Sequence, residues 1–289
     1  MIENRHRLKT SAFKRPAGED SLEPKKFFVL SVEGYHTERD YFESLNHYLK
    51  EHGKKDVEIH VLKHANDGFS SPEQVYELLS EAKRIRENGF LTPEDRQKLL
   101  EEFSEQKIQQ ILDNDKDVTE NERCRFQEIM RQLGIDYEYH RFLSDFRSDY
   151  DRFVIVIDRD SRSRSRRKLE ILLNECMKKG VLFCITNPCF EFWLFLHFLS
   201  LDTDLPADEQ QRILENEHVS NTHTYISKKV SELVHGNKRI RRGTFNEIYM
   251  LRIWQAIENA RKFAQEPHEI LDHLGTMVAC LLTEIGLPH

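Results

Sequence analysis

The sequence predicts an open, mostly parallel α/β sheet flanked by helices, with a helical insertion and an α-helical C-terminal region. Three observations predict it. Short apolar runs rich in β-branched and aromatic residues recur at Phe27 to Gly34 (FFVLSVEG), Arg152 to Ile157 (RFVIVI) and Val181 to Thr186 (VLFCIT). They are nearly continuous rather than alternating, as strands covered on both faces of a parallel sheet require. Helical patterns separate these runs, supplying the crossovers that parallel strands need. Beyond Leu201 no strong strand run occurs, and helical periodicity takes over.

Taken in order, residues 1–24 mix charge with Pro16, Gly18 and Pro24 and have no periodicity, which describes a loose N-terminal tail. The first strand closes at Gly34. Thr37, with Asp40 three residues on, has the form of a helix N-cap and its acidic partner. Tyr41, Phe42, Leu45, Tyr48 and Leu49 then repeat at helical spacing, so this helix can pack on the sheet. Val57, Ile59 and Val61 alternate as a second strand. Asn66 to Pro72 has the composition of a turn, and Glu73 to Asn88 that of a helix.

From about residue 90 to 150 the chain is charge-rich and helix-compatible, broken by the polar stretch Asp113 to Glu120, and we assign a helical insertion here with a short sheet element near Tyr137 to His140. After RFVIVI come a basic helix from Ser165 to Lys179, the strand VLFCIT, and an apolar helix from Glu191 to Leu199 beside Pro188. Ala207 to Asn216, Tyr225 to Val234, Phe245 to Phe263 and Ile270 to Ile285 all pattern as helices. The predicted organisation is an α/β domain over 25–200 with its insertion, followed by a helical subdomain over 201–289.

Composition narrows the function classes. With 289 residues, 38% apolar side chains and 18 Phe, the chain can bury one large core or two modest ones and is not a disordered protein. A formal net charge of -7 argues against a uniformly basic nucleic-acid coat, so any nucleic acid must be met by local basic patches. No apolar run approaches the roughly 20 residues that cross a bilayer, and a cytoplasmic location with no membrane contact is expected. Five cysteines show neither C-x-x-C pairs nor the density of a disulfide scaffold, which predicts reduced thiols. Neither a G-x-x-x-x-G-K-[ST] loop nor a G-x-G-x-x-G loop is present.

The chemistry-bearing residues fall where an open α/β sheet places its ligands, beyond the carboxyl ends of the strands. Glu33 follows the first strand, and Asp158-Arg159-Asp160 follows RFVIVI directly. If that tripeptide is extended, the two-residue period sends both aspartates to one side and Arg159 to the other. Glu33, Asp158 and Asp160 could then share a hard divalent ion such as Mg²⁺ or Mn²⁺, with Glu191 as a fourth carboxylate able to bind a second ion, accept a proton or orient basic groups. The plainer alternative is that these carboxylates accept bonds from backbone N–H groups in turns.

Arg159, Arg162, Arg164, Arg166, Arg167 and Lys168 put six positive side chains within ten positions, suited to a phosphodiester backbone or to a solvated helix start. Lys238, Arg239, Arg241 and Arg242 form a second basic group that could extend a nucleic-acid track or meet an acidic partner. His36, three residues after Glu33, is a candidate phosphate contact or a helix cap. The run Phe190, Phe192, Trp193, Phe195, Phe198 packs as core, and His197 within it reads as a core histidine. His218 and His223 do not form H-x-x-x-H, and no Cys/His spacing makes a zinc site.

The segments VEGYHTERDYFESL, VIDRD and NPCFEFWLFLHF together resemble the RloB-like family, including the AbiL-type second component of phage-defence pairs. That family is in turn similar to the Toprim group, whose acidic motif aligns with Glu33-Gly34 and whose Asp-x-Asp motif aligns with Asp158 to Asp160; the RloB-like third motif aligns with Asn187 to Trp193. The resemblance implies a Toprim-like domain using Mg²⁺ or Mn²⁺ to cleave DNA or tRNA in anti-phage defence, beside an ABC- or AAA-type ATPase that senses infection. It does not carry strand passage or primer synthesis with it. A homodimer would let two sites engage two strands or two arms of tRNA. The nonenzymatic alternative is a nucleic-acid-binding or regulatory subunit on the same scaffold.

Overall fold

The computed structural model describes residues 25–34, 36–54, 56–62, 72–89, 91–113, 115–135, 137, 150–160, 165–234 and 240–287. The predicted tail over residues 1–24, the turn at Asn66 to Ser71 and the sheet element after Tyr137 lie outside them. The chain forms two compact units, one of residues 26–79 with 150–289 and one of residues 1–25 with 80–149.

The first unit opens with β1 (Lys26–Val32), α1 (Thr37–Glu51) and β2 (Val57–Val61), and α2 (Pro72–Asn88) then leads out of it. The second unit follows as α3 (Pro93–Leu100), α4 (Glu105–Leu112) and α5 (Glu120–Gln132). Thr92, Ser104 and Thr119 cap these three helices through side-chain oxygens, as serine and threonine do at N-termini. Leu99, Ile108, Ile111, Phe126 and Met130 fill a small separate core there. The chain returns as β3 (Arg152–Asp158), α6 (Arg166–Lys178), β4 (Val181–Asn187), α7 (Phe190–Leu196) and α8 (Ala207–Glu215). A hairpin of β5 (His218–Ser220) and β6 (His223–Thr224) precedes α9 (Tyr225–Leu233). The last elements are α10 (Ile253–Ala260), α11 (Pro267–Ile270), β7 (Gly275–Thr276) and α12 (Val278–Ile285).

The sheet order is β2-β1-β3-β4-β7, parallel throughout except for β7, which is antiparallel to β4. This is the mostly parallel, helix-flanked sheet that the apolar runs predict. From β1 the chain moves outward to β2 and later returns to place β3 on β1's other side. The carboxyl ends of β1 and β3 therefore lie side by side where the strand order reverses, the position at which open α/β sheets leave a crevice for ligands.

The C-terminal helices, whose pattern fits a helical layer or subdomain, share the core of the sheet. Phe28, Leu30, Val154 and Val156 from the strands, Tyr41 and Phe42 from α1, Trp193 from α7, and Ile253, Ile257 and Leu282 from the C-terminal helices belong to one buried cluster. Burial of so many large side chains accounts for the joining of 150–289 to the sheet in one unit.

Some local expectations are corrected. Thr37 is the first helical residue of α1 and His36 takes the N-cap position without a side-chain bond. The helix expected over Phe245 to Phe263 contains a π turn at Phe245–Tyr249 and a 3-10 turn at Met250–Arg252 before α10. The one expected over Ile270 to Ile285 is interrupted by β7. There a Cβ on Gly275 would stand 2.2 Å from the Ala264 carbonyl oxygen, so the close backbone approach requires glycine. Strands β5, β6 and β7 were invisible to periodicity because three or two residues do not make a period.

Candidate functional site

Glu33, one residue beyond β1, extends the strand ladder by donating its N–H to the Val156 carbonyl at 3.0 Å. Its carboxylate Oε2 accepts from the Asp158 N–H at 3.1 Å, which ties the end of β1 to the end of β3. Asp158 in turn accepts from the Phe190 N–H on Oδ1 at 2.8 Å, holding the first residue of α7. The plainer role of carboxylates bonded to backbone N–H groups is thus present in both residues. It also orients them.

Past Asp158 the chain follows β4 for two more residues, Arg159 N–H to Thr186 O at 2.8 Å and Asp160 N–H to Pro188 O at 3.0 Å. Asp160 then turns with φ of 30°, a left-handed conformation uncommon outside glycine. Strict two-residue alternation therefore stops at this residue. Even so, Glu33, Asp158, Asp160 and Glu191 all line one cavity of about 420 Å³. Arg159 points elsewhere: it is buried and its Nε donates to the Leu271 carbonyl at 2.7 Å, a bond that holds the loop before β7 and removes this arginine from any phosphate clamp.

A further carboxyl supports the centre from behind. Glu38, in the first turn of α1, is 5% exposed. Burial first, then the charges of Glu191 and Glu33, push its carboxyl up to about 8. Its Oε2 occupies the space beside Gly34, where a Cβ would approach within 1.7 Å. Glu38 thus stands both in the first helical turn and against the acidic centre. Cys189 also lines the cavity; burial and then the charges of Glu191 and Asp158 hold its thiol well above the usual range, which disfavours the reactive thiolate.

The expected basic contacts are distributed differently. Arg162, Arg164, Lys238 and Arg239 lie outside the described residues. Arg166 pairs with Asp272 at 3.0 Å and with Glu170, while Arg167, Arg241 and Arg242 are exposed. His36 is exposed at the start of α1. Among the described residues, no Lys or Arg lines the cavity. Its other wall is instead the β5–β6 hairpin and the start of α9, including His218, His223, Thr222 and Ser227. Sequence reasoning set both histidines aside for lack of metal-ligand spacing, and no spacing signal marks them, since a short hairpin brings them together. His197 is a core histidine as expected: burial pushes its imidazole down to about 3, and Nδ1 lies 3.0 Å from the Trp193 carbonyl oxygen.

The donor set tests the implied cation. Carboxylate oxygens suit a hard divalent ion, and Glu191 and Glu33 both lie close enough to the buried Glu38 carboxyl to raise it. As placed, however, no three His, Cys, Asp or Glu side chains among the described residues form a group that could hold a metal ion. Ligand chemistry fits, and a ligand set of three would need carboxylate side chains to reorient.

A mostly parallel sheet with an acidic residue after one central strand and an Asp-x-Asp after its neighbour is an α/β arrangement of the Toprim-like kind. The family model for RloB-like proteins matches residues 28–285, and the chain belongs to that family. No curated protein and no solved structure matches the chain. Among the described residues, no helix is long and apolar enough to cross a membrane.

Proposed function

We propose that this RloB-like protein is a metal-dependent endonuclease effector of bacterial anti-phage defence that cleaves phosphodiester bonds in tRNA or DNA. The observation that carries the reading is the convergence of Glu33, Asp158, Asp160 and Glu191, contributed by two strand ends and the helix after β4, on one cavity at the reversal of strand order. Glu33, Asp158 and Asp160 would hold Mg²⁺ or Mn²⁺. Such an ion, when bound, neutralises charge on a phosphoryl group and acidifies water. Glu33 and Asp158 stay oriented by their backbone bonds, and Glu191 accepts the proton of the attacking water. His36 and the basic residues Arg162, Arg164, Arg166, Arg167, Lys238, Arg239, Arg241 and Arg242 guide the strand toward the centre. The resemblance to RloB-like defence pairs implies a cytoplasmic complex with an ABC- or AAA-type ATPase that restrains or delivers the activity; any ATP hydrolysis would fall to that partner. Two copies could cut two strands.

Sequencing of DNA and RNA ends after expression of wild type and Asp158→Asn, each with the neighbouring ATPase, tests this reading. Sharp Mg²⁺- or Mn²⁺-dependent ends that vanish in Asp158→Asn and Glu33→Gln are expected, with both variants still folded. Intact DNA, tRNA and other RNA would overturn it.

One observation favours a second reading, a nucleic-acid-binding or regulatory subunit without turnover: no three described carboxyls stand in ligand placement. Protection that survives loss of Glu33 and both aspartates but not loss of the arginine cluster would select it.

A further inference from the structure

The acidic cavity presents a physical problem that its carboxylates cannot solve. Five of them line it, Glu33, Asp158, Asp160, Glu191 and Glu215, and a phosphodiester that enters brings another negative charge. Contact with the non-bridging oxygens needs hydrogen-bond donors on the facing wall, and among the described residues that wall offers no Lys or Arg. What it offers is imidazole, hydroxyl and the amides of Asn216 and Asn221, beside the Glu215 carboxylate.

The wall is built rather than loose. Asn216, itself in the left-handed conformation at the end of α8, bridges two sides of the cavity: its Nδ2 lies 3.5 Å from Cys189 Sγ, and its Oδ1 accepts from the Ile226 N–H at 3.1 Å. The Tyr225 N–H donates to the Glu217 carbonyl at 2.8 Å, closing the hairpin, and the Tyr225 hydroxyl donates to Glu209 at 2.8 Å. Within the hairpin His218 pairs with Thr224, and Ser220 with His223. His223 Nδ1 lies 3.5 Å from Ser227 Oγ, so the ring is set beside the first turn of α9. His218 is exposed and His223 half-buried, and both border the space that the carboxylates face.

We propose that His218 and His223 form the substrate-side contact of the cavity, their ring N–H groups donating to the phosphate oxygens of a nucleic-acid strand held over the acidic centre. The inference rests on the nuclease reading for the identity of the ligand, and it assigns phosphate binding at the centre to the hairpin. The arginine clusters are left to guide the strand from outside the cavity.

The test measures binding of labelled tRNA and of a labelled single-stranded DNA to the full-length chain in an Asp158→Asn background, by fluorescence anisotropy, with thermal melting of every variant. His218→Ala and His223→Ala are each expected to weaken binding roughly tenfold, as loss of one hydrogen bond to a charged group does. The double variant should lose more than either single one, with coupling between the two because they are neighbours on one hairpin. His223→Gln, which restores an N–H donor, should recover most of the loss. Lys228→Ala, an exposed change on α9 that does not line the cavity, should bind like the parent. Unchanged binding in the double variant overturns the proposal while leaving the nuclease reading intact if the wild type still cleaves. A weakening that His223→Gln does not recover, accompanied by a lowered melting temperature, overturns it for His223. Absence of binding by the parent to either nucleic acid overturns it together with the nuclease reading.

Discussion

Gly34 has no room for a side chain, because the carboxyl of Glu38 fills the volume a Cβ would take, 1.7 Å from the nearest oxygen. Glu38 is itself buried, so its carboxyl cannot swing into water at no cost. Gly34→Ala should therefore displace a buried polar group and cost about 1–3 kcal/mol of stability. In a Glu38→Ala background the same change should cost under about 1 kcal/mol, since the obstacle is gone. Urea unfolding of the four proteins in this cycle measures the coupling, and additive effects would refute the steric account. At this scale the sequence was informative for residues whose chain position carries the signal. Glu33 and Asp158 stand directly after buried strands, and those strand ends were readable. Glu38 carried no such mark, because its burial depends on the packing of α1 over Gly34. Nor did His218 and His223, which come to the cavity through tertiary contact alone, or Arg159, whose bond to Leu271 O spans 112 positions.

Elements were legible in proportion to length and to how completely they are buried. The interiors of β1, β3 and β4 are covered on both faces, with only scattered half-buried positions, and their uninterrupted apolar runs announced them. The hairpin β5–β6 is exposed or half-buried and, apart from Val219, uses polar residues, so little in composition distinguished it from loop. Between elements, hidden polar groups do the joining. Asp151, 2% exposed, precedes β3 and accepts the Phe27 N–H on Oδ1 at 2.8 Å, fastening the start of β1 to its neighbour. Asp151→Ala removes that buried acceptor and should cost about 1–3 kcal/mol in denaturant unfolding. Asp151→Asn retains the accepting oxygen and should cost under about 1 kcal/mol, and equal losses in the two would show that the bond to Phe27 is not what Asp151 contributes.

Across the whole molecule, the insertion was legible as helical, but its separate core was not. α3 to α5 bring Leu99, Ile108, Phe126 and Met130 together from three short helices, and no single period links positions on separate helices. Two cores predict two unfolding transitions, one for residues 80–149 and one for the unit that contains the sheet. This partition makes cation binding measurable without any nucleic acid. An ion held by Glu33, Asp158 and Asp160 binds only where β1 and β3 are paired, so it stabilises the sheet unit by RT ln(1 + [L]/Kd), about 2.7 kcal/mol at a hundredfold excess over Kd. At roughly 2–4 °C per kcal/mol for a unit of this size, the melting of that unit should rise by about 5–11 °C in saturating Mn²⁺. The transition of the insertion should stay where it is. Asp158→Asn should lose most of the rise, because the ion would then face one carboxylate fewer in a cavity already short of a preformed ligand set. Calorimetry with and without Mn²⁺ decides it: equal shifts in wild type and Asp158→Asn, or none in either, would mean that the acidic cavity does not take the cation and would leave the chain to the non-catalytic reading.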